Sequence, residues 1–349
     1  HKNISHIPST NIFGTATLRQ KNRVWLVTTS AKAHRIGSEM GHYQTALDGY
    51  SLIGADVDTQ EVRLAALMGD KEAGCLGITP MSQIAFKGSK AKGTDPHTVL
   101  AKVAGVSRGD AKTANFRIQY GGGKKTVTTA NKTAHVEWSM DECERVANEM
   151  LRAKKGEKVR GRWQGGTDSD AHNYLTKYAE GHLDRIPTDL RRVPDSVSKR
   201  FDPNGDLFTT RYNWAVQSSG SSWRHCFLVV VHWLAQATGI KIRQSLCRHD
   251  EAWFHLEQGK EKEFAQIMNF AHALTWAWFC EALGFHDMPR SLCQFSAINW
   301  DYTVRKEPKD PTTTVSGGID WGEGCYLEVE DYAWLEEKIG EANKQLCMP

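Results

Sequence analysis

None of the eight cysteines in this 349-residue chain forms a CxxC pair, and none sits at a spacing that zinc ligands use. That excludes a zinc ribbon and a CxxC redox site. A chain of this size can also bury a core without disulfide staples, so its thiols fit a reducing compartment. Long apolar runs are lacking too. The most apolar stretch, CFLVVVHWLAQATGI from Cys226 to Ile240, is broken by His232 and is too short to span a bilayer, so no membrane partner is expected. The opening HKNISHIPST has no charged n-region and no apolar h-region, so it carries no readable address signal. Nor does one sign of charge dominate. A net charge of +3 is too mild to identify a polyanionic partner by itself, and local clusters have to be sought instead. What remains, 40% hydrophobic and 24% charged, is an ordinary globular composition with room for two or three substructures and no internal repeat.

From Tyr50, YSLIGADVDTQEVRLAALMGD reads as a buried strand through Ile53 to Val57 that ends at Asp56 to Asp58. A helix follows, in which Val62, Leu64, Leu67 and Met68 recur at helical spacing. FKGSKAKGTDPH is a loop rich in Gly and Lys. Helical text runs on to Gly105, and the Ser107-x-x-Asp110 signal opens another helix. Residues Val136 to Arg152 read as helix and lead into RAKKGEKVRGRWQGG, where six basic residues face one acid in what reads as an exposed basic connector. Three of the ten prolines fall in HLDRIPTDLRRVPDSVSKRFDPNGDL, an irregular link. Beyond it a long helix is expected from Tyr212 to about Ala237. IKIRQSLC and AWFHLE read as a β-hairpin around the turn Arg248 to Glu251, and EKEFAQIMNFAHALTWAWFCEALG as an amphipathic helix. A last helix is expected near Asp331 to Asn343.

Three groups of residues could carry chemistry. Asp56 and Asp58 stand at a strand end, and Asp250 and Glu251 stand in a hairpin turn almost two hundred residues later. Paired in one sheet, their carboxylates would converge and offer hard oxygen ligands to Mg²⁺, as two-metal phosphoryl transfer requires; acidic turns that are merely solvated would account for the same residues. In SRGDAKTANFRIQYGGG, Arg108, Lys112, Phe116 and Tyr120 follow at intervals of four along one broad helix face. The cations could hold a triphosphate and the aromatics could flank a sugar and base, while a surface helix with core aromatics is the alternative. The basic loops KGSKAK and RAKKGEKVRGR could track phosphates, although such runs are usually solvated faces.

Taken in order, GADVDTQE, SRGDAKTANFRIQYGGG and RHDE resemble motifs A, B and C of the family A DNA polymerases, in particular the mitochondrial gamma branch. The phrases GTATLR, RIGSEM, GSKAKGTDPH, WQGGTDSDAHN, RYNWAVQSS and GFHDMPRSLCQFSAINWDYTVRKE extend that resemblance over about Gly14 to Glu307. It implies an α+β fold: a polymerase palm, an antiparallel sheet with helices behind it, interrupted by a helical fingers insertion. The corresponding segments are an N-terminal piece 1–13, palm 14–79, fingers and basic connector 80–195, palm 196–307 and a tail 308–349.

The same resemblance implies roles. Asp56 and Asp250, with the carbonyl of Val57, would hold two Mg²⁺ ions, and Glu251 would support them. Glu61 would crowd a 2′-hydroxyl. His97, Arg108 and Lys112 would grip the incoming triphosphate, Phe116 would lie beside its sugar, and Tyr120 would close on the new base pair. Arg19, Asn213, Gln217 and His249 would contact the primer end or its minor groove. Primer–template DNA and dNTPs are the implied partners, with an accessory subunit or a separately supplied thumb and exonuclease, and the mitochondrion is the implied location. Four features depart from the family pattern: Phe116 stands at a tyrosine position, Arg117 at a small one and Arg248 at an apolar one, while GSSW (220–223) replaces a stretch that carries an acid. A polymerase-derived chain retained as a non-catalytic assembly component is the competing expectation.

Overall fold

The computed structural model of the chain describes residues 44–57, 59–181, 204–248, 250–289 and 298–304 as continuous runs. Shorter pieces are described at 10–11, 21–22, 188, 197–198, 202, 292, 312–314, 317–319, 325–327 and 337–341. The strands are β1 (Thr10–Asn11), β2 (Lys21–Asn22), β3 (Tyr50–Asp56), β4 (Gly156–Val159), β5 (Arg162–Gly165), β6 (Ile242–Arg248), β7 (Glu251–Glu257), β8 (Ile298–Asp301), β9 (Thr312–Thr314), β10 (Gly317–Ile319) and β11 (Cys325–Leu327). The helices are α1 (Gln60–Ala73), α2 (Pro80–Lys87), α3 (Pro96–Ala104), α4 (Arg108–Gln119), α5 (Lys124–Ala134), α6 (Met140–Lys155), α7 (Ser169–Ala179), α8 (Phe208–Thr238) and α9 (Glu261–Ala282). The class is α+β, as expected. Two compact units divide the chain, one of His1–Asp58, Trp223–Trp276 and Leu292–Pro349, the other of Thr59–Ser222 and Ala277–Ser291.

The first unit is organised by a five-stranded antiparallel sheet in the order β11-β8-β3-β7-β6. Its central strand β3 pairs with β7 from Tyr50↔Glu257 to Asp56↔Glu251. Because side chains alternate along a strand, this register puts Leu52, Gly54 and Asp56 on one face with His255, Trp253 and Glu251, and Ile53 and Ala55 on the other with Phe254 and Ala252. On the first face Leu52 and Trp253 pack with Ala46, Tyr50 and Val304. On the second, Phe254 meets Phe264 of α9 edge-on at 5.3 Å and His232 of α8 at 6.1 Å, so helices cover the back of the sheet. Trp223, Phe227, His272 and Trp276 continue this aromatic layer, and Trp276 Nε1 donates to His272 Nε2 at 3.0 Å.

The second unit is helical. Helices α3 to α6 surround Leu100, Ala104, Ala114, Ile118, Val127 and Met150, while α1 packs on α2 and α7. Thr79, Asp95, Ser107 and Ser139 each cap the helix that follows by accepting a backbone N–H, and Pro80 and Pro96 open α2 and α3. One stretch, the basic connector, differs from the sequence expectation. Residues 124–134 form a helix although KKTVTTANKTA is rich in β-branched residues. Buried Val127 and Thr128, with Asn131 Nδ2 donating to Cys143 O at 3.1 Å, override that weak propensity. The basic connector is not a loop but the hairpin β4–β5. Lys154 and Lys155 at its base are buried rather than exposed: Lys154 pairs with Asp168 at 2.5 Å, and Lys155 Nζ donates to Gly122 O at 3.0 Å.

Gly54 is required by packing. A Cβ there would overlap the Trp253 ring and the Ala252 carbonyl. Gly54→Ala is expected to destabilise the fold by about 1–3 kcal/mol through overpacking, read as a lower midpoint in urea unfolding at unchanged slope. A midpoint equal to wild type would show that Trp253 moves aside at no cost.

Candidate active site

The β6–β7 hairpin pairs Arg248 with Glu251, leaving a loop of two residues, 249 and 250. The Val57 N–H donates to the Asp250 carbonyl at 3.2 Å, so the turn is pinned to the end of β3. Asp56, the last residue of that strand, is the direct cross-strand partner of Glu251. Three acids from two distant parts of the sequence therefore gather at one sheet end. Asp56 and Asp250 are partly open to solvent, whereas Glu251 is buried, and Trp253 Nε1 donates to Glu251 Oε1 at 2.7 Å. Because Trp253 lies across the space a side chain at 54 would fill, Gly54 sets the aim of the indole and the indole sets the aim of Glu251.

The candidate donors are all oxygen: the carboxylates of the partly buried Asp56 and Asp250 and the Val57 carbonyl, with Glu251 beside them. Among the described residues no three His, Cys, Asp or Glu side chains form a ready-made metal cage. Mg²⁺ needs no such cage, because it keeps several waters and takes substrate phosphate oxygens beside one or two carboxylates. The residues fit that ion.

A second group of site residues lies in the helical unit. Asp95 caps α3, accepting from His97 N at 3.2 Å and Thr98 Oγ1 at 2.5 Å, and also receives Arg108 Nη2 at 2.8 Å. Burial alone would raise the Asp95 carboxyl, but the hydrogen bonds from Arg108 and Thr98 and the Arg108 charge hold it at about 2. His97 is buried, and Asn115 Nδ2 lies 3.1 Å from its Nδ1, an arrangement in which Nδ1 accepts and Nε2 carries the proton. Burial, reinforced by the Arg108 charge and only partly opposed by Asp95, pulls the imidazole down to about 4. The His97 and Phe116 rings lie 5.5 Å apart, and Phe116 and Tyr120 6.1 Å apart. Phe116 and Tyr120 are half-buried rather than core, Arg108 is half-buried, and Lys112 is exposed, so α4 presents cations and then ring faces along one side.

Glu61 is buried in the first turn of α1, and its backbone carbonyl accepts from Gln119 Nε2 at 2.6 Å, which ties the end of α4 to the start of α1. Gly121 turns the chain at φ +88° just after Tyr120, with the Tyr212 ring 3.2 Å from where its Cβ would be. Tyr212 in turn hydrogen-bonds His172. Asn213 and Gln217 stand one turn apart on α8, the first half-buried and the second buried. Arg19 and His249 lie outside the described residues. Asp95, Asn115, Gln119 and Trp253 were not among the sequence-derived candidates. A capping Asp before Pro96 was the one available signal for Asp95; the other three orient their neighbours through tertiary contacts that no local pattern encodes.

No family model matches the chain. Among curated proteins, DNA polymerase gamma of Schizosaccharomyces pombe is 31% identical over 347 residues, covering 95% of this chain and 34% of that protein. DNA polymerase gamma of Saccharomyces cerevisiae is 31% identical over 348 residues, covering 98% and 27%. The mitochondrial DNA polymerase gamma of Neurospora crassa is 30% identical over 346 residues, covering 95% and 24%. The chain is a homologue of DNA polymerase gamma. It spans roughly a quarter to a third of the length of these gamma polymerases. Its fold is that of a polymerase domain: the POL domain of Pol1 from M. smegmatis, solved with DNA primer–template and dNTP, superposes with TM-score 0.58 at 16% identity over 85% of this chain and 47% of that one.

The His97 environment has a consequence for stability. Its value is depressed from the ordinary 6.5 to about 4, so between these pH values the unfolded chain binds a proton that the folded chain refuses. Stability is therefore expected to fall as pH drops from 6.5 toward 4, and His97→Gln should flatten that decline by on the order of 1–3 kcal/mol relative to wild type. Parallel urea-unfolding curves for the two proteins across this range would contradict the assignment.

Proposed function

We propose that the chain is a template-directed DNA polymerase domain that joins a primer 3′-hydroxyl to the α-phosphate of a dNTP and releases pyrophosphate. The observation that carries this reading is the Val57 N–H to Asp250 carbonyl bond, which brings Asp250 to the strand end where Asp56 and Glu251 are paired. Asp56, Asp250 and the Val57 carbonyl would hold two Mg²⁺ ions, with Glu251, aimed by Trp253, supporting the set. When bound, such ions neutralise phosphate charge and make the attacking oxygen a better nucleophile. We assign residues 14–79 and 196–307 to a palm and 80–195 to fingers.

In this reading Arg108 and Lys112 bind the triphosphate, and Arg108 exchanges Asp95 for a phosphate oxygen. His97, neutral at physiological pH, contributes an Nε2–H hydrogen bond rather than a charge. Phe116 and Tyr120 offer ring faces to the sugar and the base, and Glu61, anchored through Gln119, crowds a 2′-hydroxyl. Asn213 and Gln217, with Arg19 and His249, contact the primer end. Primer–template DNA, dNTPs, an accessory subunit and a thumb- and exonuclease-bearing segment are the partners. Two of the gamma relatives are named as mitochondrial, which supports that location, and DNA replication there is the role proposed.

Primer extension with Mg²⁺ and labelled dNTP tests the reading. Asp56→Asn and Asp250→Asn are each expected to abolish incorporation while the unfolding midpoint stays close to wild type, because each removes a ligand charge from a partly solvated position. A variant keeping most of the wild-type rate would end the two-metal assignment.

Two substitutions on α4 probe the nucleotide. Arg108→Ala should weaken dNTP binding in single-turnover kinetics by about 1.5–3 kcal/mol, the size of a lost charge-assisted hydrogen bond. Phe116→Tyr should admit dideoxynucleotides that the wild-type chain rejects, since a phenol can donate toward the phosphates where the 3′-hydroxyl is missing and phenylalanine cannot. Equal chain termination by both proteins would remove Phe116 from the sugar pocket.

A further inference from the structure

The β4–β5 hairpin has no part in the chemistry above, yet it is built with care at its base and with an anomaly at its tip. Asn173 binds both backbone polar groups of Trp163, its Oδ1 accepting from the main-chain N–H at 2.8 Å and its Nδ2 donating to the carbonyl at 3.0 Å. Glu72 receives Arg162 at 2.7 Å and Lys177 at 2.6 Å, clamping the second strand to α1 and α7. Gly156 and Gly166 let the entering and leaving backbones touch, since a Cβ on either would overlap the other's main chain. The hairpin is therefore held firmly at its root while Lys158, Val159, Arg160, Gly161 and Arg162 stand exposed.

Arg160 and Gly161 form the turn, at φ +49° and +83°. Left-handed backbone at both central positions is the geometry that favours Asn, Asp or Gly first and Gly second. Arg160 is thus the wrong residue for its own turn, and with Thr59 it is one of two non-glycine residues at positive φ among those described. Its side chain is exposed, so burial in a core does not offset the strain. Among the described residues neither Arg160 nor Lys158 has an acidic partner, whereas Arg162 is held by Glu72, and the hairpin's lone acid, Glu157, by Arg152 at 3.2 Å. Lys158 pairs across the hairpin with Trp163, its Nζ 6.0 Å from the ring, and Lys155 Nζ lies 5.6 Å from the same ring. Two uncompensated cations are displayed on a rigid prong, one of them at a conformational cost. A ligand that gathers such charge, spaced along an exposed ridge, is a polyanion with regularly repeating phosphates.

We infer that the tip of the β4–β5 hairpin is a DNA backbone contact in which Arg160 and Lys158 bind strand phosphates. The inference rests on the polymerase reading for its choice of DNA as the polyanion. It requires no role for Asp56, Asp250 or α4.

The test uses the full 349-residue chain and a labelled primer–template duplex with a single-stranded template overhang, with affinity followed by fluorescence anisotropy from low to physiological salt. Arg160→Asn is chosen because asparagine suits the left-handed turn better than arginine does. It should therefore unfold at or above the wild-type midpoint and yet bind DNA about three- to tenfold more weakly, with the slope of log affinity against log salt shallower by roughly 0.7–0.9, the value of one lost phosphate contact. Lys158→Gln should act in the same direction, and the double variant should lose about two contacts' worth of slope. Should the blunt duplex lose as much as the overhang substrate, the contact is to the duplex; a loss confined to the overhang substrate places it on the single strand. Either outcome supports the inference. Wild-type affinity and slope in both single variants would overturn it, even if primer extension by the same preparations upholds the polymerase reading. Hairpin-dependent DNA binding by a chain that incorporates no nucleotide would do the reverse.

Discussion

The register of β3 against β7 is the constraint on which the sheet-borne site depends. Pairing Asp56 with Glu251 puts both acids on one face and at one end, and a slip by one residue would send Asp56 to the helix-covered face, where a carboxylate has no solvent and no partner. Three devices hold the register. Ile53, Ala55 and Phe254 are buried, the hairpin allows only two loop residues, and Trp253 lies over Gly54, the one glycine of that strand. The backbone bond from Val57 to Asp250 then converts strand register into a position for the turn acid. Each device uses apolar packing or main-chain hydrogen bonding rather than the carboxylates of the acids.

The helical unit solves a different problem, the storage of cations and an imidazole next to apolar rings. Asp95 supplies a local counter-charge for Arg108 and the cap of α3 at once, so the helix start and the cation are fixed by one side chain. Asn115, on the buried side of α4, orients His97, while Arg108, Lys112, Phe116 and Tyr120 occupy the side open to solvent. The phrase WQGGTDSDAHN serves the same unit from below. Asp168 neutralises Lys154, Ser169 and Asn173 fix the backbone of the hairpin, and His172 holds Tyr212 under Gly121.

Much of this was legible in the sequence, for reasons that differ between parts. The short apolar runs in YSLIGAD and AWFHLE and the HDE turn specify a hairpin and a strand whose ends are acidic, and the four-residue spacing on α4 specifies a shared face. The clamp of Glu72 on Arg162 and the orientation of Glu251 by Trp253 join residues many positions apart or depend on where an indole lies, and no periodicity reports either. The basic run at 152–162 shows the limit most plainly. Composition made it an exposed connector, yet Lys154 and Lys155 are buried because Asp168 and the Gly122 carbonyl, dozens of residues away or beyond a hairpin, satisfy their ammonium groups. Local charge density counts cations without knowing which have found partners.

Arg108 is not waiting bare for a ligand; it already holds an anion of the protein's own. A guanidinium so engaged responds to differences in charge rather than to charge itself, because any incoming group must outbid the Asp95 carboxylate, with its value near 2, to be rewarded at all. On the proposed reading, a singly charged metabolite would gain little from the exchange, while a chain of phosphates would bring several charges to one place. In that reading the cap of α3 would act as a threshold that favours highly charged anions over weak ones, and without such a ligand Arg108 rests on the start of α3, the helix before its own.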